Sequence, residues 1–489
     1  LRGGHAIHRH TIFVLNRPAS CLSFTAAAAM LLAGCAAPPP DPVPAPLDVP
    51  TAWTQAGPSG PAPADLRGWW KAFGDPALDA LVDEALAHNV DLAIAGARLR
   101  ESRLQGSRAA VAFRPSFAAN AQTLQDISAT DTYFHASIDM VWELGLFGAG
   151  TSTRQAASAD ADAAESDAQG VRVAVVADVV RSYLDLQAAR RQLQLQQELA
   201  GLDARSIALA EVRQQARIGQ EGELALARVR ADQARAAQAL PREAMARAAH
   251  ALAVLLGRYA PDPAWSALPA GIGAVALHPG ALAELPADLV RTRPDVRSAE
   301  AQVRKAAAEV GLARSELYPR IAIMGSLLYA YNLTKNFRTR TDNVPAFGPV
   351  IDIPLFDWGR RSLQVQAQQE ALNAALLGYR RAVLAGVGEA EGALAAYAAQ
   401  QARARALEQA WSGLRAQAAA GQVRQDLGLA STYDGLALRR AALQAQAELL
   451  TAQDAQALAY VALYKALGGA PLPAAGAAQA TAAEGGAGR

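Results

Sequence analysis

Cysteine is almost missing from this chain of 489 residues: Cys21 and Cys35 are the whole complement. That excludes a disulfide scaffold and a cysteine-rich metal site. Net charge is nearly absent too, with 46 Lys and Arg against 45 Asp and Glu. A chain so balanced carries no electrostatic footprint for nucleic acid, so a general DNA or RNA binder is not expected. Aromatic residues are only 6% although apolar residues are 52%. Beyond the N-terminal region no 18 consecutive residues are apolar, which excludes an ordinary spanning helix. If the mature chain crosses a membrane, it must do so as a closed β-barrel. Past the first 34 residues the histidines are His88, His135, His250 and His278. None has a second ligand at metal-binding spacing, so no metal and no cofactor is expected. Gly271-Ile272-Gly273 lacks the third glycine of a dinucleotide loop, no P-loop occurs, and no Ser/His/Asp set announces itself.

Alanine dominates what is there, and it favours thin, closely packed helices. The N-terminus reads as an address. Arg2, Arg9 and Arg17 precede the apolar run Cys21 to Ala33, a basic n-region followed by an h-region. The run ends Leu32-Ala33-Gly34-Cys35, which resembles the bacterial lipobox. The resemblance implies a lipoprotein signal peptide over 1–34. It also implies an S-diacylglycerol and an N-palmitoyl group on Cys35. Ala36 rather than aspartate after that cysteine points to the outer membrane. Residues 35–68 carry Pro38, Pro39, Pro40, Pro42, Pro44, Pro46, Pro50, Pro58, Pro61 and Pro63. They read as an extended tether. The Ala- and Gly-rich residues 469–489 read as a disordered tail.

Between tether and tail the chain repeats itself. Asp295 follows Asp91 by 204 positions, as Pro319 follows Pro115. Leu355-Phe356 follows Leu146-Phe147 by 209, as Leu427-Gly428 follows Ile218-Gly219. The difference falls in a longer loop of the second copy, Asn332 to Asn343. The expected division is a first repeat over 69–272 and a second over 273–468.

Each copy holds a pair of segments with period two. Phe134, Ala136, Ile138, Met140 and Trp142 alternate with His135, Ser137, Asp139 and Glu143. Ile321, Ile323, Leu327, Tyr329 and Tyr331 alternate with Arg320, Ala322, Ser326 and Ala330. Ile351, Ile353 and Leu355 alternate with Asp352 and Pro354, and Phe117 to Ile127 is the weakest of the four. Such strands have one apolar face. Their length of about ten residues spans a bilayer when tilted, though a soluble sandwich has the same pattern. Helices of unusual length follow. Residues 152–216 contain no proline, and Val173, Val176, Val180, Tyr183, Leu195, Leu199, Leu202 and Leu209 keep a narrow apolar seam. A second run goes from Ser362 to about Gln417. Helices near 100 Å do not fit a compact domain and suit a coiled coil or helical barrel. Gly219 and Gly222 in the first copy, and Gly428 in the second, are where the chain is expected to turn back.

Several short stretches, in order, complete the pattern: Trp69-Trp70-Lys71-Ala72-Phe73-Gly74-Asp75-Pro76, Arg293-Pro294-Asp295-Val296, Gly348-Pro349, Pro354-Leu355-Phe356-Asp357-Trp358-Gly359-Arg360 and Leu463-Tyr464-Lys465-Ala466-Leu467-Gly468-Gly469. Together with the lipobox they resemble the TolC-like outer-membrane factors of the lipid-anchored OprM/NodT type. The resemblance covers almost all of the mature chain. It implies a mainly α fold with a membrane β-barrel, in which a homotrimer builds a 12-stranded barrel continuous with a long α-helical barrel. The implied function is the outer-membrane channel of a tripartite efflux system. It is a passive duct for small molecules, not an enzyme, and reaches from the outer membrane into the periplasm. The implied partners are a periplasmic membrane-fusion adaptor, an inner-membrane pump of the resistance-nodulation-division type and outer-membrane lipids. In the family the turns between long helices meet the adaptor. Here those tips are Gly219, Gln220 and Gly222 in one copy and Gly428, Leu429, Ala430 and Ser431 in the other. Asp434 matches the aspartate of an acidic ring at the periplasmic entrance; a solvated helix-end aspartate is the alternative. Ala225 stands at the matching place in the first copy. Ala430 and Gln425 stand where the best-known member has a locking arginine and tyrosine. Two other readings compete: a structural coiled-coil envelope lipoprotein without a pore, and an envelope hydrolase on a helical scaffold. The alternating segments separate channel from rod, because a rod has no use for them.

Overall fold

The computed structural model describes residues 52–54, 67–125, 132–267, 276–279, 291–334 and 342–469. The signal segment, Cys35, most of the tether and the tail from residue 470 lie outside them. The elements run α1 (Pro76–His88), α2 (Val90–Val111), β1 (Ser116–Gln125), β2 (Thr132–Glu143), α3 (Ala149–Gln215), α4 (Glu223–Ala236), α5 (Ala239–Leu255), α6 (Pro294–Ser315), β3 (Arg320–Asn332), β4 (Asp342–Asp352), α7 (Arg360–Asp426) and α8 (Thr432–Ala466). The fold is mainly helical with one small sheet, and α3 and α7 are each 67 residues long. At about 1.5 Å per residue each is about 100 Å long. Among the described residues no helix is long and apolar enough to cross a membrane.

The chain divides into two compact units. One takes in 108–156 and 307–370 and holds the sheet; the other takes in 43–107, 157–306 and 371–489 and is helical. In the sheet unit four antiparallel strands lie in chain order, β1-β2-β3-β4. The four sequence expectations fall on strands, although the end of the first, at Ile127, lies outside the described residues, and one needs correction. β4 stops at Asp352, so Ile353 and Leu355 belong to the loop before α7. Pro354 in that segment has no N–H to continue the ladder.

The helical unit is sealed by aromatic side chains. Trp69, Trp70 and Phe73 form a buried 3-10 turn. Trp69 stacks on Tyr464 with ring centroids 5.5 Å apart, and Phe73 meets Tyr460 edge-on at 5.8 Å. Asp75 caps α1 by accepting from the Ala77 amide at 2.9 Å, with Pro76 at the first helical position. It also accepts the Tyr183 hydroxyl. Burial first, then Asp75, push the Tyr183 phenol up to about 12. Leu78, Leu81, Val82 and Ala85 give α1 its apolar stripe. The seam of α3 is as the sequence indicates: Val173, Val176, Val180, Tyr183, Leu195, Leu199 and Leu202 are buried, and Leu209 half-buried. Two ion pairs join α3 to α8, buried Arg191 with half-buried Asp454 and buried Asp203 with half-buried Arg440.

Arg293 closes the other helices of this unit. Its guanidinium is buried and donates to Asp295 and Glu389, each at 2.7 Å, and to the carbonyl of Ala466. Gly468 follows at positive φ, and a Cβ there would sit 3.2 Å from the Arg293 backbone. The sequences Arg293-Pro294-Asp295 and Ala466-Leu467-Gly468 are therefore two halves of one contact. The tether is also fixed at one point. The amide and hydroxyl of Thr54 donate to the Glu391 carboxylate at 2.8 and 2.7 Å, and Trp53 packs on Leu394, Leu463 and Leu467.

Candidate functional site: the two-faced sheet and the helix-hairpin tips

Register fixes the faces of the sheet. Ile138 lies opposite Ala119 on one side and Leu327 on the other; Trp142 lies opposite Ile323, and Ile321 opposite Ile351. With Phe117, Phe134, Met140, Tyr329, Tyr331 and Phe347 these make one apolar face. Where Gly325 leaves a gap in it, the Phe347 ring covers the backbone. Phe117, Ile138, Leu327, Phe347 and Ile351 are all more than half exposed. A row of large apolar side chains open to the outside is costly in water and stable in hydrocarbon.

The opposite face is polar at its centre. Asp139 accepts from Ser326 Oγ at 2.6 Å, Asn120 Nδ2 at 2.7 Å and Ser137 Oγ at 2.8 Å. Four hydrogen-bonding side chains from three strands thus meet at one place. Arg320 and Glu143 pair at 3.0 Å at the end of the same face. His135 also stands on it, beside Ala330. Sequence reading had Asp139, Ser137 and Ser326 on this side but missed their cluster, because pairing partners are not local information.

The hairpin tips lie in the helical unit. In the second copy α7 ends in a Schellman motif: Gly428 N donates to Gln425 O at 2.9 Å and Leu429 N to Arg424 O at 2.7 Å. Gly428 takes φ 71, which glycine adopts without a Cβ clash. Ser431 then caps α8 by accepting from Asp434 N at 3.1 Å, while its hydroxyl donates to the Asp434 carboxylate at 2.7 Å. Asp434 is exposed, as are Leu429, Thr432 and Tyr433, with Ala430 half-buried.

The first tip differs from expectation. The residue at positive φ that ends α3 is Arg217, not Gly219. Arg217 N donates to Gln214 O at 3.0 Å and Ile218 N to Arg213 O at 3.0 Å. So Arg217 is the counterpart of Gly428. Gly219 and Gln220 lie in the loop that follows, and Gly222, at φ 85, precedes α4. The first turn is two residues longer, which shifts the two copies' tips out of simple alignment.

Contact between the tips comes from residues that the sequence did not single out. Arg213 pairs with Glu223 at 3.2 Å, and its guanidinium lies over the Tyr433 ring at 5.6 Å from the centroid. Tyr433, between Ser431 and Asp434, is the nearest aromatic to that turn in sequence and was the available signal. Ala225, opposite Asp434 in the repeat, is exposed. Cys35 lies outside the described residues.

Residues 81–258 and 285–469 match the family described as outer membrane efflux protein. The chain is 30% identical over 408 residues to the solvent efflux pump outer membrane protein SrpC of Pseudomonas putida, covering 81% of this chain and 86% of that one. It is 26% identical over 419 residues to the cation efflux system protein CusC of Escherichia coli K12, covering 82% and 88%. Among solved structures, the open-state MtrE outer membrane channel of Neisseria gonorrhoeae matches with a TM-score of 0.77 at 26% identity, over 89% of this chain and 98% of that one. The outer-membrane channel OprN matches with a TM-score of 0.73, also at 26% identity, over 88% and 100%.

Proposed function

The chain belongs to the outer membrane efflux protein family, and from that membership we propose that three copies close a single export duct. Each copy gives β1–β4 to a 12-stranded barrel in the outer membrane. Each gives its long helices to an α-barrel in the periplasm. The repeats over 69–272 and 273–468 are the two structural units that each copy contributes. The chain itself is the outer-membrane channel of an efflux system that also has an adaptor and an inner-membrane pump. A resistance-nodulation-division pump is the partner proposed here, with transport through the duct passive and driven by that pump. Cys35, with an S-diacylglycerol and an N-palmitoyl group, anchors the N-terminus in outer-membrane lipid. The tips around Arg217–Gly222 and Gly428–Ser431 meet the adaptor.

The observation that carries this reading is the two-faced sheet. Its apolar face suits lipid, and its polar face around Asp139 suits a water-filled interior. An open sheet leaves β1 and β4 each with an unpaired edge, and bare edges are not tolerated in hydrocarbon. Closure with further copies removes both. Relatives named for solvent efflux and for cation efflux match over 81% and 82% of this chain. That fits a wide duct that leaves selection to the pump.

Single-channel recording of the purified, detergent-solubilised protein in planar bilayers tests the proposal. Discrete conductance steps together with a heat-modifiable trimer on gels are expected. A protein without conductance or trimers would instead be a structural envelope lipoprotein.

A further inference from the structure

The junction between strands and long helices is built twice in this chain, and only the first has its partner. Phe147 and Gly148 take φ 55 and 91 just before α3; Trp358 and Gly359 take φ 57 and 80 just before α7. A bulky residue at positive φ is unusual. An aromatic there twice, ahead of two helices of equal length, marks equivalent positions. Trp358, not Phe356, is therefore the counterpart of Phe147; each lies six residues past equivalent strand positions, Val141 opposite Ser116 and Asp352 opposite Arg320.

Phe147 stacks on Tyr318, ring centroids 5.1 Å apart and planes 13° from parallel. Tyr318 sits just past α6, its amide donating to Ser315 O at 3.1 Å. The residue in that position past α2 is Arg114, whose amide donates to Val111 O at 3.0 Å. Each stands directly before a proline, Pro319 and Pro115. So the first copy's aromatic meets the second copy's helix end. Trp358 has no third copy to meet. It is 87% exposed, and so is most of Phe356, which touches it edge-on at 4.8 Å. Arg114 is exposed as well.

We propose that Trp358 stacks on the guanidinium of Arg114 in a neighbouring copy of this chain, so that the seam between subunits repeats the seam within one. The inference rests on the trimer reading. It makes the strand register specific too. Within the chain Glu143 lies opposite Ala322 and Trp142 opposite Ile323. The hairpin registers, Ser116 with Val141 and Arg320 with Asp352, make Val141 the counterpart of Asp352, so the same relation carried one repeat onward sets Asp352 opposite Asn120, and Ile351 opposite Ala121, of the neighbour. Ile351 and Ala121 belong to the same apolar face, so that face continues unbroken across the seam. Trp is also the best aromatic face for a cation and Arg its commoner partner, which suits a contact that must hold separate chains.

The test uses the full-length lipoprotein in outer-membrane vesicles. In W358C/R114C, a short bis-maleimide is expected to give covalent dimers and trimers on denaturing gels, while either single variant gives none. F147C/Y318C is expected to cross-link within the monomer only. A native mass of three chains without the ladder overturns the seam contact and leaves the trimer standing; a monomeric native mass overturns both. Should the cysteine pair assemble poorly, W358A and R114A give a second measure. Each is expected to speed trimer dissociation in SDS by about tenfold, the scale of a desolvated cation–π contact. The double variant is expected to be no faster than the faster single one. Multiplying effects in the double variant would overturn the pairing.

Discussion

The guanidinium of Arg213 near the end of α3 lies 5.6 Å from the ring centroid of Tyr433 at the start of α8. This contact joins the first hairpin tip to the second. Exposed cation–π contacts are worth about 0.5–1 kcal/mol. Tyr433→Ala and Arg213→Ala should therefore shift the closed-to-open ratio of the entrance by roughly two- to fivefold. Open probability in planar bilayers measures it. Unchanged gating in both variants would mean that the contact only stiffens the tip.

Asp434 has two jobs that substitution can separate. Its amide donates to the Ser431 hydroxyl that caps α8 and its carboxylate accepts a hydrogen bond from that hydroxyl, and it puts a negative charge at an exposed tip. Asn keeps a side-chain oxygen for the Ser431 hydroxyl and removes the charge. Asp434→Asn and Asp434→Ala should both lower the cation preference of the open pore, since a ring of carboxylates attracts cations. Reversal potentials under a salt gradient decide the matter. Equal selectivity in wild type and Asp434→Asn would place this carboxylate away from the ion path.

Arg293 should be the most sensitive single position in the helical unit. It is buried, it bonds two carboxylates, and it caps the Ala466 carbonyl. Arg293→Ala should cost about 1–3 kcal/mol, because one buried acceptor and two half-exposed acids lose their donor. Urea unfolding followed by circular dichroism reports the loss. The pair also sets an acid limb. Burial pushes the Asp295 carboxyl up, but the hydrogen bond and the charge of Arg293, with backbone amide bonds, together outweigh it and hold the group below its ordinary value of 3.8. A carboxylate lowered in the folded state adds stability above the unfolded value, and that stability is lost as pH falls through the folded one. Asp295→Asn should be less stable than wild type at neutral pH, with the two curves converging below pH 3.8.

The faces of β2 should differ in what they tolerate. Ile138 stands on the apolar face and Ser137 on the polar one. An arginine facing lipid costs about 2–4 kcal/mol at the bilayer midplane and little in an aqueous interior. Ile138→Arg should reduce trimer yield in the outer membrane well below that of Ser137→Arg. Equal yields would reverse or abolish the assignment of faces.

Cys35→Ala should leave the precursor uncleaved by the lipoprotein signal peptidase. Mass spectrometry of the mature wild type should find the acyl groups on Cys35, and an unmodified thiol there would refute the anchor. Assembly should survive the substitution, because a barrel holds itself in the membrane.

Much of the architecture is legible in the sequence because it rests on local patterns. Period two marks the four strands, and the long proline-free stretch before Arg217 marks α3. The end of α7 is nine residues later than Gln417, because Gly421 does not break the helix. A Cβ there would meet the Leu438 side chain at 2.6 Å, so this glycine serves a close helix approach. The first turn holds Gly219, Gln220 and Gly222 as the sequence indicates, but the residue matching Gly428 is Arg217 rather than Gly219, because Arg217 takes a glycine's conformation with no local signal for it. A chance Leu-Phe pair hid the equivalence of Phe147 and Trp358, which only backbone dihedrals reveal. The Asp139 cluster and the Arg213–Tyr433 contact join residues from separate elements. No periodicity encodes such meetings. Trp53 and Thr54 show the converse, a docked segment inside a proline-rich stretch that reads as pure tether.

The open edges of β1 and β4 have a consequence for gene dosage. If one copy cannot shelter its own ladder in hydrocarbon, folding of the membrane part and association of three chains are a single event. The yield of finished channels then follows the third power of free precursor in the dilute limit. Halving synthesis would cut assembly by about eightfold in that limit rather than by half. A cell could thus switch export on sharply by modest induction, with the cooperativity supplied by the unpaired strands instead of by a regulator.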